Sequence, residues 1–116
     1  MTTFEVTGEL PDLNTYINAE RTNRYMAAKI KKEATDLVAW SVMRLPEITK
    51  PSNYHFHWIV SSKRKDPDNV AFAAKFIFDG LVVAGKLKND NMAWVKGIYH
   101  TYSVGKPKVI ISFDNE

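Results

Sequence analysis

Tyr54-His55-Phe56-His57-Trp58-Ile59-Val60, then Ser61-Ser62-Lys63-Arg64-Lys65, then Asp66-Pro67-Asp68-Asn69-Val70 is the stretch that decides the fold. Its first part is aromatic and β-branched, which marks a strand. Alternation points His55 and His57 one way and Tyr54, Phe56 and Trp58 the other. A short basic turn follows. Asp66 then stands where a helix N-cap belongs, and Pro67 in the favoured first helical position. Val70, Ala74, Ile77, Phe78, Leu81 and Val82 form the apolar face of that helix, and Gly85 marks its stop.

Working outward toward the N-terminus, residues 20–45 read as one long helix closed by Pro46. Ile30, Ala34, Leu37, Val38, Ser41 and Leu45 make its inner stripe, with Lys29, Lys32, Glu33 and Asp36 off it. Residues 8–18 read as a loop, from Leu10-Pro11-Asp12 and the asparagines Asn14 and Asn18. Residues 4–7 alternate and read as a short strand. Toward the C-terminus, 86–91 is a polar loop, and 93–102 and 108–113 are strands joined by a hairpin over 103–107. The order β-α-β-α-β-β predicts one α/β domain of the α+β kind across residues 1–116. It would hold a mixed sheet with helices on one face. Sheet edges of this kind permit pairing across a homodimer.

The bulk numbers bound the function without choosing it. A chain of 116 residues builds one core. Sixteen Lys and Arg against 13 acids give a net charge of +3, which suits a nucleic-acid partner but also an ordinary basic surface. The absence of cysteine excludes disulfides, a thiol nucleophile and thiolate zinc sites. The stretch Met1-Thr2-Thr3-Phe4-Glu5 lacks a signal-peptide pattern, and no apolar run approaches a membrane span. The expectation is a cytoplasmic protein with no membrane partner.

Three acids attract chemistry: Asp66, Asp68 and Asp90. If they converge, their mutual repulsion calls for a cation, and a hard ion such as Mg²⁺ suits carboxylate oxygens. A water that the ion keeps can serve as nucleophile while the ion offsets charge on a phosphate. Convergence requires the Asp90 loop to run along the sheet end where the helix begins. Each acid also has a plainer role: Asp66 as a cap, Asp68 beside the positive helix end, Asp90 as a loop residue. Lys63, Arg64 and Lys65 fit a phosphate backbone or a solvated turn equally well. Lys75 reaches toward a phosphate or pairs with Asp79 at i,i+4. His55, His57 and His100 read as packing or surface residues. Trp40, Trp58 and Trp94 read as core or interface residues.

Lys65-Asp66-Pro67-Asp68-Asn69, then Phe78-Asp79-Gly80-Leu81, then Lys88-Asn89-Asp90-Asn91 resembles the core signature of RusA-type Holliday-junction resolvases. Leu13-Asn14-Thr15-Tyr16-Ile17-Asn18-Ala19-Glu20-Arg21, running on to Asn23-Arg24-Tyr25, is similar to phage members of that family. The resemblance covers nearly the whole chain and implies a RusA-like fold. It implies a homodimeric, Mg²⁺-dependent endonuclease, with Mn²⁺ as the alternative metal, that nicks four-way or branched DNA symmetrically. It also implies a phage or prophage protein working in the cytoplasm of a bacterial host. By position, Asp66 and Asp68 match the paired metal-binding aspartates and Asp90 the third. Lys63, Arg64, Lys65, Asn14 and Tyr16 match regions that contact DNA in the family; Asn69, Arg21 and Arg24 are further DNA-binding candidates, Arg24 equally readable as an ordinary surface residue. Two departures stand out. Phe72 occupies the family lysine position, leaving Lys75 one turn on as its substitute. One acid of the later pair is Asn89. The rival readings are a non-catalytic DNA-binding dimer, a nuclease preferring flaps or forks, and a structural domain whose aspartates only cap helices.

Overall fold

The computed structural model describes residues 1–114. Its elements are β1 (Thr2–Thr7), α1 (Leu13–Thr22), α2 (Arg24–Ser41), β2 (Ser52–Val60), α3 (Pro67–Ala71), α4 (Ala74–Val83), β3 (Val95–Val104) and β4 (Lys108–Phe113). The four strands form one mixed sheet in the order β1-β4-β2-β3. It is an α+β arrangement in which each expected helix is made of two pieces.

The alternation in β2 holds. Tyr54, Phe56 and Trp58 are buried, in register with Phe113, Ile111 and Val109 of β4. Ala34, Val38, Ile77, Phe78 and Leu81 of the helices close over that face in one cluster. Tyr54 meets Phe78 edge-on at 5.2 Å and Phe113 face-on at 5.2 Å. Helix α4 lies close against α2 because Gly80 has no side chain: a Cβ there would sit 2.4 Å from Val38 Cγ1. The opposite sheet face carries His55, stacked on Tyr99 at 4.9 Å, and His57, bonded to the hydroxyls of Thr101 and Ser103. His100 belongs to the covered side, where Trp58 Nε1 donates to its Nδ1 at 2.9 Å and burial lowers its pKa.

Four expectations need correction. The loop over 8–18 gives way to α1 at Leu13, because the Asp12 side chain accepts from Thr15 N at 2.8 Å and caps a helix there. The long helix over 20–45 breaks at Asn23, whose backbone is extended (φ −169°). That residue closes α1 through its N–H to Ala19 O and opens α2 through its side chain on Tyr25 N. The inner stripe of α2 is consequently Ala27, Ala34, Thr35 and Val38, while Leu37 is exposed. The helix after Pro67 is likewise split at Phe72–Ala73, and Val82 is exposed. Its end is as expected. Gly85 takes φ +74°, and Gly85 N and Lys86 N reach back to Val82 O and Leu81 O.

The fourth correction concerns the hairpin. β3 pairs with β2 in parallel, β4 pairs with β2 antiparallel, and so β2 lies between them. Residues 105–107 cross the end of β2, where Gly105 N donates to Val60 O at 2.9 Å. The link must span about 10 Å, two interstrand spacings, which three residues cover when extended. Among the described residues, no helix is long and apolar enough to cross a membrane.

Candidate functional site

Asp66 occupies the N-cap position of α3, in extended backbone, with Pro67 behind it, yet its side chain makes no capping bond. Asp68, in the first turn, accepts from Asn69 N at 2.9 Å. Both acids are exposed. The segment is held by its neighbours. Asn69 Oδ1 accepts from Asn14 N at 2.8 Å, and Lys65 Nζ pairs with Glu9 at 2.9 Å. Tyr102 OH donates to Pro67 O at 3.1 Å, fixing β3 to the same turn. Burial raises the Tyr102 phenol pKa, and the nearby charge of Asp68 raises it further. Burial likewise pushes Asp12 up. Bonds from Thr15 and Asn69 and the charge of Lys65 outweigh it and hold that carboxyl below its ordinary value. The bond to Glu9 and its charge raise Lys65.

Asp90 lies elsewhere. It shares a recess with Lys31, Thr35, Asp79, Val82 and Val83, against α2 and α4. Its loop leads into the start of β3, where Asn91 O accepts from Trp94 N and Val95 N. Tyr102, beside Asp68, is near the other end of β3. At about 3.3 Å per residue, Val95 and Tyr102 stand roughly 20 Å apart. Convergence of the three acids within one chain is therefore corrected: the loop runs past the opposite end of the sheet. No group of three acid, His or Cys side chains suited to a metal exists among the described residues.

The other expected contacts divide. Lys63 and Arg64 are exposed beside Asp66. Arg21 and Arg24 flank the Asn23 break, both exposed. Asn14 lies on α1 rather than on a loop, and Asn69 is occupied in holding it. Tyr16 packs its ring against Phe72 at 5.7 Å and Phe76 at 6.2 Å, so its face is in the protein. Lys75 sits 3.7 Å from Asp79, the i,i+4 pair, rather than reaching Asp68. Trp58 is core, while Trp40 is 75% exposed.

Sequence reasoning passed over Thr35, which joins the Asp90 recess and whose hydroxyl is buried without a hydrogen-bond partner among the described residues. Its signal is an i,i+7,i+8,i+11 inner stripe through Ala27, Ala34, Thr35 and Val38, hidden by the misplaced helix start. It also passed over Tyr102 and Asp12, the residues that brace the Asp66 turn.

The chain matches no protein-family model, and no curated protein matches it. The fold sorts the aspartate-bearing sequence elements into two groups. The Asp66–Asn69 element stands at one end of the sheet, and the Asp79 and Asp90 elements meet at the other.

Proposed function

We propose that the protein is a Mg²⁺-dependent endonuclease that nicks four-way or otherwise branched DNA as a homodimer. Asp66 carries the reading. A structural aspartate at that position caps its helix; this one leaves its carboxylate free, next to Asp68 and the cations Lys63 and Arg64. Short exposed carboxylates beside basic residues suit a hard cation and a phosphate together.

One chain supplies two of the three carboxylates at that end, and the edge of the sheet supports how a second copy supplies the third. β3 is an outer strand of 10 residues with one charge, Lys96, and no proline. Ile98, Tyr99, Tyr102 and Val104 on it are exposed. Such an edge invites another strand. Two copies pairing β3 antiparallel about a two-fold axis set the Val95 end of one against the Val104 end of the other. Asp90 of the partner subunit then arrives at Asp66 and Asp68, on the helix side of the sheet. Bound there, Mg²⁺ offsets phosphate charge and lowers the pKa of water. Asp66, Asp68 and Asp90 hold it; Lys63 and Arg64 orient the backbone; two such sites per dimer act on two strands.

The test is nicking of a synthetic four-way junction, each strand labelled, with and without Mg²⁺, beside a linear duplex. Paired nicks on the junction alone are expected, and Asp68→Asn should abolish them while sparing binding. Cleavage retained by that variant sinks the assignment. Co-expressed Asp68→Asn and Asp90→Asn chains should regain nicking of one strand, since one site of the mixed dimer is then intact. No recovery, with an active wild type, sinks the shared site alone. Tight junction binding without cleavage under any divalent metal favours the non-catalytic module.

A further inference from the structure

Beside Asp68, where the ends of β2 and β3 meet α3, an apolar cleft of about 330 Å³ opens. It exists because β3 outruns its cover. α3 is only 5 residues long and does not close over the strand end, so Tyr102 and Val104 of the helix side stay 37% and 51% exposed. Val60, Val70 and Val104 form walls with Pro67 and Tyr102, whose ring is anchored through its hydroxyl to Pro67 O. Ser62, Lys63, Lys65 and Ser103 complete the lining, the Ser103 hydroxyl itself being turned to His57 on the other face.

We propose that this cleft receives one unstacked nucleobase of the DNA strand held at Asp66 and Asp68, a proposal that rests on the branched-DNA reading above. Apolar walls suit neither a bare phosphate nor a hydrated ion, whereas a base offers a flat apolar face and a polar edge. The valines and the Tyr102 ring take the face, Ser62 takes the edge, and Lys63 takes the adjoining phosphate. The size lies at the lower end of pockets for small organic ligands, as one nucleoside requires. A base inside a duplex is stacked and paired and cannot enter; one at a branch point is already partly released. The cleft would thereby couple the choice of branched DNA to a preference for the nucleotide next to the cut.

The experiment measures metal-free binding to four-way junctions carrying an abasic site at each nucleotide around the crossover, for wild type and Val104→Trp. The substituted position is half exposed, so the indole fills the cleft without entering the core. At one position the wild type should lose about tenfold in affinity, within the range of single-base stacking contributions. Val104→Trp should bind the intact junction about tenfold more weakly and be indifferent to that abasic site. Equal sensitivity of both proteins at every position overturns the proposal. A second readout needs no junction: methyl resonances of Val60, Val70 and Val104 should shift saturably on titration with 5′-phosphorylated dinucleotides, and unmoved methyls overturn it. Saturable shifts in a protein that nicks nothing uphold the base site and remove the nuclease reading alone. The other occupant within the dimer is the exposed Met92 of the partner subunit; Val104→Trp weakening self-association without DNA would identify it and overturn the proposal.

Discussion

Asp12 and Asp66 share a sequence context: each follows a loop, precedes a helix and is extended in backbone. The first turns its carboxylate onto Thr15 N and is drawn into bonds with Asn69 and the field of Lys65. The second leaves the helix end uncapped and faces solvent. Asp68 explains part of the contrast, since its side chain already accepts from Asn69 N, the third helical N–H that a capping Asp66 would take. The difference teaches that an N-cap aspartate is identified by its bond and not by its place. It also shows that the two are one device: the capped aspartate braces the turn that carries the free one, through Asn69 and Asn14.

The largest expected effect separates the two acids by activity. Asp66→Asn should lower Mg²⁺-dependent nicking on the order of 10³-fold, because metal charge at the phosphate is worth several kcal/mol. Asp12→Asn, which keeps a capping acceptor, should leave nicking within a few-fold. Equal losses in the two variants would collapse the contrast. Stability should sort them the other way. Asp12→Ala should cost about 1 kcal/mol, a fall of roughly 4 °C in the thermal midpoint, while Asp66→Ala stays within about 0.5 kcal/mol. A matching loss for Asp66→Ala, read by thermal or urea unfolding, would show that its carboxylate does cap in solution. Asn69→Ala, which cuts the link between the helices, should cost about 1 kcal/mol and raise the nearby Asp12 carboxyl, measurable by carboxyl-carbon NMR titration.

The smallest effect is in acid. The folded state holds the Asp12 carboxyl below its ordinary 3.8. Its contribution is therefore complete above that value and is lost as pH falls through the lowered folded one. Asp12→Asn should lack that share of the acid loss. An identical acid limb in wild type and variant would mean that the carboxylate gains nothing from its partners on folding.

Much of this architecture is legible in residue order. Period-two alternation from Tyr54 to Trp58 assigns both the strand and its buried face, since only one sheet face is covered. Gly85 marks its helix end because a left-handed residue is needed there. Other features are decided by partners distant in the chain. Nothing local in Asn23 says that one residue closes α1 and opens α2. Nothing near residues 103–107 tells a hairpin from a crossing, because the strand between is β2, some 45 residues earlier. The candidate site shows the same limit. Three acids can be picked out by type and spacing, but which end of the sheet each reaches depends on the path of the Asp90 loop. That loop is tied by Ile48 N to Lys86 O and Ser52 N to Trp94 O, bonds to a segment whose pairing no periodicity announces.

The position of β4 has a bearing on how the protein is made. Lys108–Phe113 follows every other described element in sequence, yet it joins β1 to β2 and lines the core with Val109, Ile111 and Phe113. Until a ribosome has released it, β1 has no neighbour, and the apolar face of β2 lacks the partner that fixes its register. The sheet therefore stays partly open until β4 has been made, although β1 and β2 precede it in the chain. The contacts that then form are long-range, the kind that slows the search and leaves apolar strands exposed meanwhile.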